Sequence, residues 1–146
     1  MKESTGGALL MGLAAGIIII FIIMVAFFIS YGSTFKIKNE IINYIEQHEG
    51  ASKDELLTFV TGKQTKYSGK TIKACVNMLD GASVNGFTIK VVVYMEMDKT
   101  ILNEAFNVKI PIKGETMIIR KGSRYDNLVE CPLDDDLDSY TTIIES

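Results

Sequence analysis

No tryptophan occurs in this chain, and between Ser4 and Phe35 there is no Asp, Glu, Lys or Arg. An uncharged stretch of that length excludes an interfacial amphipathic helix, which needs a charged face. Histidine occurs once, as His48, and no Gly-x-Ser-x-Gly, Walker or dinucleotide fingerprint is present, so a catalytic reading has little to stand on. A Cys–His nucleophile pair would require Cys75 or Cys131 to meet His48. The position of His48 near a helix C-terminus is accounted for by the helix dipole. The formal charge is −3 and no Lys/Arg cluster forms a phosphate-tracking stripe, which argues against a nucleic-acid partner.

What the uncharged window does contain is Ala8 to Ile29, apolar at every position. At about 1.5 Å per helical residue this run crosses a hydrocarbon layer of about 30 Å. A cleaved secretory signal would have a shorter apolar core followed by a small-x-small site; Ser30-Tyr31-Gly32 is the one passable site here. A buried helix of a soluble core fits poorly, because Ile17 to Ile23 is apolar on all faces. The expectation is a single-pass anchor over residues 8–31 behind a short head, 1–7. Phe27, Phe28, Tyr31 and Phe35 are the candidates for the outer membrane interface. Gly12 and Gly16 form Gly-x-x-x-Gly, a spacing that lets helices approach closely in lipid, and they are the helix-packing candidates.

Past the span, Ile37, Ile41, Ile42 and Ile45 recur at helical spacing, with Lys36, Asn39, Asn43 and Glu46 on the wet side. If the helix is continuous, Ala8 to His48 is a rod of about 60 Å. Glu49-Gly50 ends it, with glycine expected at the left-handed cap. Ser52 and Glu55 have capping-box spacing and open a second helix through Val60, with Leu56, Leu57, Phe59 and Val60 on its buried face. Gly62 stops that helix, and Lys63 to Gly69 reads as an exposed loop. Residues 32–62 are thus the helical part of the head.

From residue 70 to 120 the period changes to two. Thr71 to Leu79 is a first strand, ending at Asp80-Gly81, with Asn85-Gly86 closing the connection. Phe87, Ile89, Val91, Val93 and Met95 then alternate with Thr88, Lys90, Val92, Tyr94 and Glu96, the clearest strand in the chain. After a turn near Asp98 to Asn103, Phe106, Val108, Ile110 and Ile112 alternate again. Pro111 places that strand at an edge. Lys113-Gly114 is expected to interrupt it before Thr116 to Arg120 resumes.

Residues 121–146 are polar and acidic. Asp134, Asp136, Asp138, Tyr140, Thr142 and Glu145 fall at positions 1, 3, 5, 7, 9 and 12 of an EF-hand-like calcium loop. Position 6, however, is Ser139 where the loop needs glycine, and Cys131-Pro132-Leu133 is a poor lead-in for a helix. The segment therefore reads as a solvated acidic tail, with Thr141 to Ile144 either a short strand or loose. No metal or other cofactor is expected. Cys75 and Cys131, the only cysteines, are a disulfide candidate whose loop of about 57 residues would restrict the unfolded chain by roughly 4 kcal/mol; two unrelated buried thiols are the alternative. The fold class is α+β: a long N-terminal helix, a short second helix, and a small antiparallel sheet packed on the long helix.

These parts resemble the TadE-like, pilin-like membrane proteins of bacterial tight-adherence pilus and related secretion loci. The resemblance is carried by the short head and apolar helix, by Tyr31 to Gly50, and by Ile110-Pro-Ile-Lys-Gly-Glu-Thr-Met-Ile-Ile119. It implies an extracytoplasmic tail and a non-enzymatic role in building or priming a pilus. Cleavage after Gly7 would make Gly12 the fifth residue of the mature chain, where type IV pilins place a glutamate that pairs with a neighbour's amino terminus. The resemblance therefore implies a minor, uncleaved or pseudopilin-like subunit. Its partners would be membrane lipid and other pilin-like or assembly-platform membrane proteins, or further copies of itself. Lysines flanking the span (Lys2 before; Lys36, Lys38 and Lys53 after) are nearly balanced and lean toward a cytoplasmic tail, whereas the cysteine pair favours an oxidising compartment. An anchored binding or sensing module acting alone, using its sheet or the Asp98–Asn103 turn, is the competing role. A cytoplasmic adaptor is the third.

Overall fold

One helix, α1 (Lys2–Gln47), carries the chain from its apolar start to the centre of a folded head. In this computed structural model the described residues are 2–63, 67, 70–81, 84–96, 109–120 and 125–145. α1 is 46 residues long, about 70 Å at 1.5 Å per residue. It begins at Lys2, so residues 2–7 extend the helix instead of forming a separate head. It also runs through Gly32-Ser33 without interruption.

At the far end the left-handed position is taken by Glu49 (φ 51°), with Gly50 (φ 126°) next, one residue earlier than the sequence pattern placed it. Gly50 N–H donates to the Ile45 carbonyl at 2.9 Å and Glu49 N–H to that of Glu46 at 3.3 Å, the paired bonds of a Schellman end. α2 (Lys53–Gly62) starts with both arms of the capping box: Glu55 N–H donates to Ser52 Oγ and Ser52 N–H to Glu55 Oε2. Leu56 and Val60 are its buried residues. Leu57, expected beside them, is 36% exposed, because it lies one residue, about 100°, away from Leu56.

The sheet is antiparallel, in the order β3-β2-β1-β5, from β1 (Ile72–Gly81), β2 (Val84–Glu96), β3 (Lys109–Glu115) and β5 (Thr141–Ile144); β4 (Ile119–Arg120) also pairs with β2. β1 and β2 pair out to Gly81 opposite Val84, so Asn85-Gly86 lies within β2 and does not form the turn. The glycine answers to a close approach instead: β4 pairs so near Gly86 that a Cβ there would lie 2.6 Å from the Ile119 carbonyl oxygen. β3 runs through Lys113-Gly114, and the break falls at Thr116–Ile118 instead. There Thr116 Oγ1 accepts from Ile89 N–H while Thr116 N–H donates to the Ile89 carbonyl. Pro111 sits on edge strand β3, as its missing N–H requires. The Asp98–Asn103 turn, Phe106 and Val108 lie outside the described residues.

One sheet face packs on α1. Ile37, Ile41 and Ile45 meet Ile72, Ala74, Val76, Phe87, Ile89, Val91 and Val93, all buried, each full aliphatic or aromatic burial being worth about 1.5–3 kcal/mol. The expected stripe is therefore the core, with Ile42 half-buried at its edge. Tyr67, expected in an exposed loop, is 1% exposed, and its hydroxyl donates to Glu40 Oε2 at 2.7 Å.

Residues 125–145 are folded and not a solvated tail, and the part from Cys131 to Tyr140 covers the other face. Tyr140 packs with Cys75 and Val92, flanked by Tyr94, Cys131 and Leu137. β5 pairs with β1 at Ile72–Ala74, and above it Val76 exchanges bonds with Val129 and Cys131. Ile143 reaches past the sheet edge into the helix-side core. An acidic composition hides these anchors because only one side of the segment is wet.

Candidate functional site

Two surfaces of this architecture bear on function: the bare half of α1 and the outer face of the sheet. Along the helix, Ile17 to Ile20 are 58–62% exposed and Ile29 is 68% exposed. The most apolar window has a mean hydropathy of 3.0 and no buried residue. By length and composition this single helix can cross a membrane, and no described part of the chain covers it. A continuous apolar surface of this extent is not left in water by monomeric soluble proteins. Gly12 and Gly16 stand one turn apart on it, and a Cβ on either would meet nothing within 4 Å. The face is open within the chain, as an interhelical contact would require.

At the junction of span and head an aromatic ladder climbs the helix at i, i+4 spacing. Phe27 and Tyr31 have ring centroids 6.5 Å apart, and Tyr31 and Phe35 6.3 Å apart. The Lys38 ammonium stands 4.2 Å above the Phe35 ring, with its stem buried against Gly114 of β3.

On the sheet's outer face, Lys90, Val92, Lys113, Gly114, Glu115, Asp135 and Tyr140 line an open cleft of about 300 Å³. Its charges are engaged with one another. Lys113 pairs with Asp135, and the Tyr140 hydroxyl donates to Asp135 Oδ1 at 2.8 Å. The Thr88 hydroxyl bonds Glu115. The Lys113 ammonium, then the Tyr140 hydroxyl, hold the Asp135 carboxyl below the ordinary carboxylate range. Burial first, and the Asp135 carboxylate second, push the Tyr140 phenol up to about 12. Such a cleft is a structural seam that pins the C-terminal layer to β3.

Cys75 and Cys131 are brought together as a disulfide, at an S–S distance of 2.00 Å, which removes both sulfurs from any nucleophilic role. His48 places Nδ1 2.8 Å from the Tyr44 carbonyl and its ring against Tyr44, at the C-terminal end of α1. Two of the calcium-loop carboxylates are otherwise employed. Asp136 accepts from Asp138 N–H to cap the 3-10 turn Leu137–Ser139, and Asp138 pairs with Lys73 at 3.3 Å. Among the described residues no three potential metal ligands converge.

The chain matches no protein-family model, no curated protein and no solved structure. Its functional reading therefore rests on its own geometry. Two parts of that geometry were missed in the sequence: the Tyr67–Glu40 bond and the buried stem of Lys38. Tyr67 is the one aromatic residue in Lys63–Gly69, and that lone apolar ring was the available signal.

Proposed function

We propose that this chain is a non-catalytic, single-pass membrane protein, a pilin-like or pseudopilin-like subunit of a pilus or secretion assembly with its head outside the cytoplasm. One observation carries the reading. A single uninterrupted helix is wholly bare and apolar in one half and clasped by a disulfide-bonded sheet in the other. The bare half is suited to lipid and neighbouring helices. The Cys75–Cys131 bond supports an oxidising compartment for the head, against the slight lysine bias of the flanks. Gly12 and Gly16 are the residues at which a second helix would approach most closely.

Sidedness and the bond are tested together by labelling the cell-embedded protein with an impermeant thiol reagent. Labelling of Cys75 and Cys131 only after external reduction is expected; labelling that needs permeabilisation, with no reduction, would place the head in the cytoplasm. Assembly is tested by Gly12→Leu with Gly16→Leu, which should lower in-membrane crosslinking while the head stays folded. Unchanged crosslinking would favour the anchored module acting alone, whose support is the outer-face cleft and which would be a monomer in detergent.

A further inference from the structure

Only about 8 Å of helix separates Ile29, which is 68% exposed, from Thr34, which is fully buried under the head. The head therefore begins where the apolar span ends, with no stalk between them. The end of the head facing the span is set by the register. Lys70 bonds Thr34 Oγ1 at 3.3 Å, β1 starts at Ile72 opposite Ile144 of β5, and Glu96 and Lys109 face each other at the ends of β2 and β3.

Three ammonium groups belong to this junction. Lys38 lies over the Phe35 ring, one turn nearer the span than its own backbone, in the direction helical side chains lean. Lys70 reaches Thr34, whose hydroxyl in turn donates to the Ser30 carbonyl. Lys36 is exposed, about 200° round the helix from Thr34. Among the described residues none of the three has a carboxylate partner. Among the described acids nearby, Glu40 receives the Tyr67 hydroxyl and Glu145 follows β5. Directly below the lysines comes the Phe27–Tyr31–Phe35 ladder, whose Tyr31 is a residue type that sits at headgroup depth.

We infer that Lys36, Lys38 and Lys70 form a collar that binds the phosphates of anionic phospholipids and holds the head flush against the membrane surface. This rests on the membrane-spanning reading of α1 and adds a lipid class to it. The occupant is a lipid headgroup because the collar is continuous with the apolar span, which fixes its depth at the phosphate layer. Juxtamembrane ammonium groups each favour an anionic surface by about fivefold, and the effect is screened by salt.

The test uses the full chain reconstituted in phosphatidylcholine vesicles with about one third phosphatidylglycerol. Spin-labelled versions of each lipid report which is held at the protein surface. Phosphatidylglycerol should be preferred several-fold, less so in high salt, and the preference should vanish in Lys36→Gln/Lys70→Gln and in the triple variant with Lys38→Gln. Lys53→Gln, at the start of α2 beside the far end of α1, should keep it. Formation of the Cys75–Cys131 bond in each variant verifies folding. Immobilised lipid without preference for either headgroup would overturn the collar while leaving the span intact. Equal loss in Lys53→Gln would also overturn it. Failure of the chain to float with either vesicle would overturn the membrane reading itself.

Discussion

The carbonyl oxygen of Ile119 stands 2.6 Å from the point a Cβ on Gly86 would occupy, and Ile118 Cγ2 stands 2.7 Å from it. Ile119 opens β4, which pairs with β2, and its carbonyl is backbone, which has little room to retreat. Gly86→Ala should therefore destabilise the head by about 1–3 kcal/mol through overpacking. Gly114 makes a useful contrast. Its added Cβ would meet Ile42 Cδ1 at 2.6 Å and Lys38 Cδ at 2.7 Å, atoms on side chains that can rotate away. Gly114→Ala is expected to cost less, and denaturant midpoints of the two variants in detergent give the order directly. The opposite order would show that β4 is loosely held.

Tyr67→Phe removes the hydroxyl that bonds Glu40 across the face of α1. A hydrogen bond to a charged acceptor is worth about 1.5–3 kcal/mol, so urea unfolding should shift by that amount. A shift below a few tenths of that range would mean that water replaces the hydroxyl.

Alkaline pH should weaken the head through its two raised phenols. Tyr140 titrates at about 12 when folded against an ordinary value near 10, and Tyr67 is raised further, by burial first and then Glu40. A raised pKa means the folded state holds the proton more tightly. Both contributions are thus complete below pH 10; that of Tyr140 disappears as pH climbs from there through about 12, and that of Tyr67 persists to higher pH. Thermal midpoints across that window should fall, and Tyr140→Phe should flatten the slope. An unchanged slope in that variant would contradict the Asp135–Tyr140 contact.

Cys75→Ala with Cys131→Ala opens a loop spanning 56 positions, for which roughly 4 kcal/mol of stability should be lost. The loss should be local first. Limited proteolysis is expected within 131–140, where the segment lies over Val92, before any cut in the helix-side core. Simultaneous cleavage throughout would show that the two layers unfold as one unit.

Much of this architecture is legible in the residues, and the exceptions have identifiable causes. The α1 stripe and the β2 alternation stand out because each buries one face at a fixed period. Asn85-Gly86 misleads because Asn-Gly is the usual signature of a tight turn, while its real constraint comes from Ile119, thirty-odd residues away and invisible to local pattern. Residues 125–145 mislead because carboxylates dominate the composition while Tyr140, Ile143 and Cys131 do the anchoring. The bare helical half is fully readable, since its apolar run is continuous and uncharged. Lys38 is the reverse case: a charge on a wet-looking position whose stem is buried by β3.

The unbroken course of α1 through Gly32-Ser33 has a mechanical corollary. A head attached by a swivel would leave the orientation of the span unreported, but here the two are a single oar. Any lean or roll imposed on the bare shaft sweeps the blade by the same angle, and the displacement grows toward the tip with distance from the pivot.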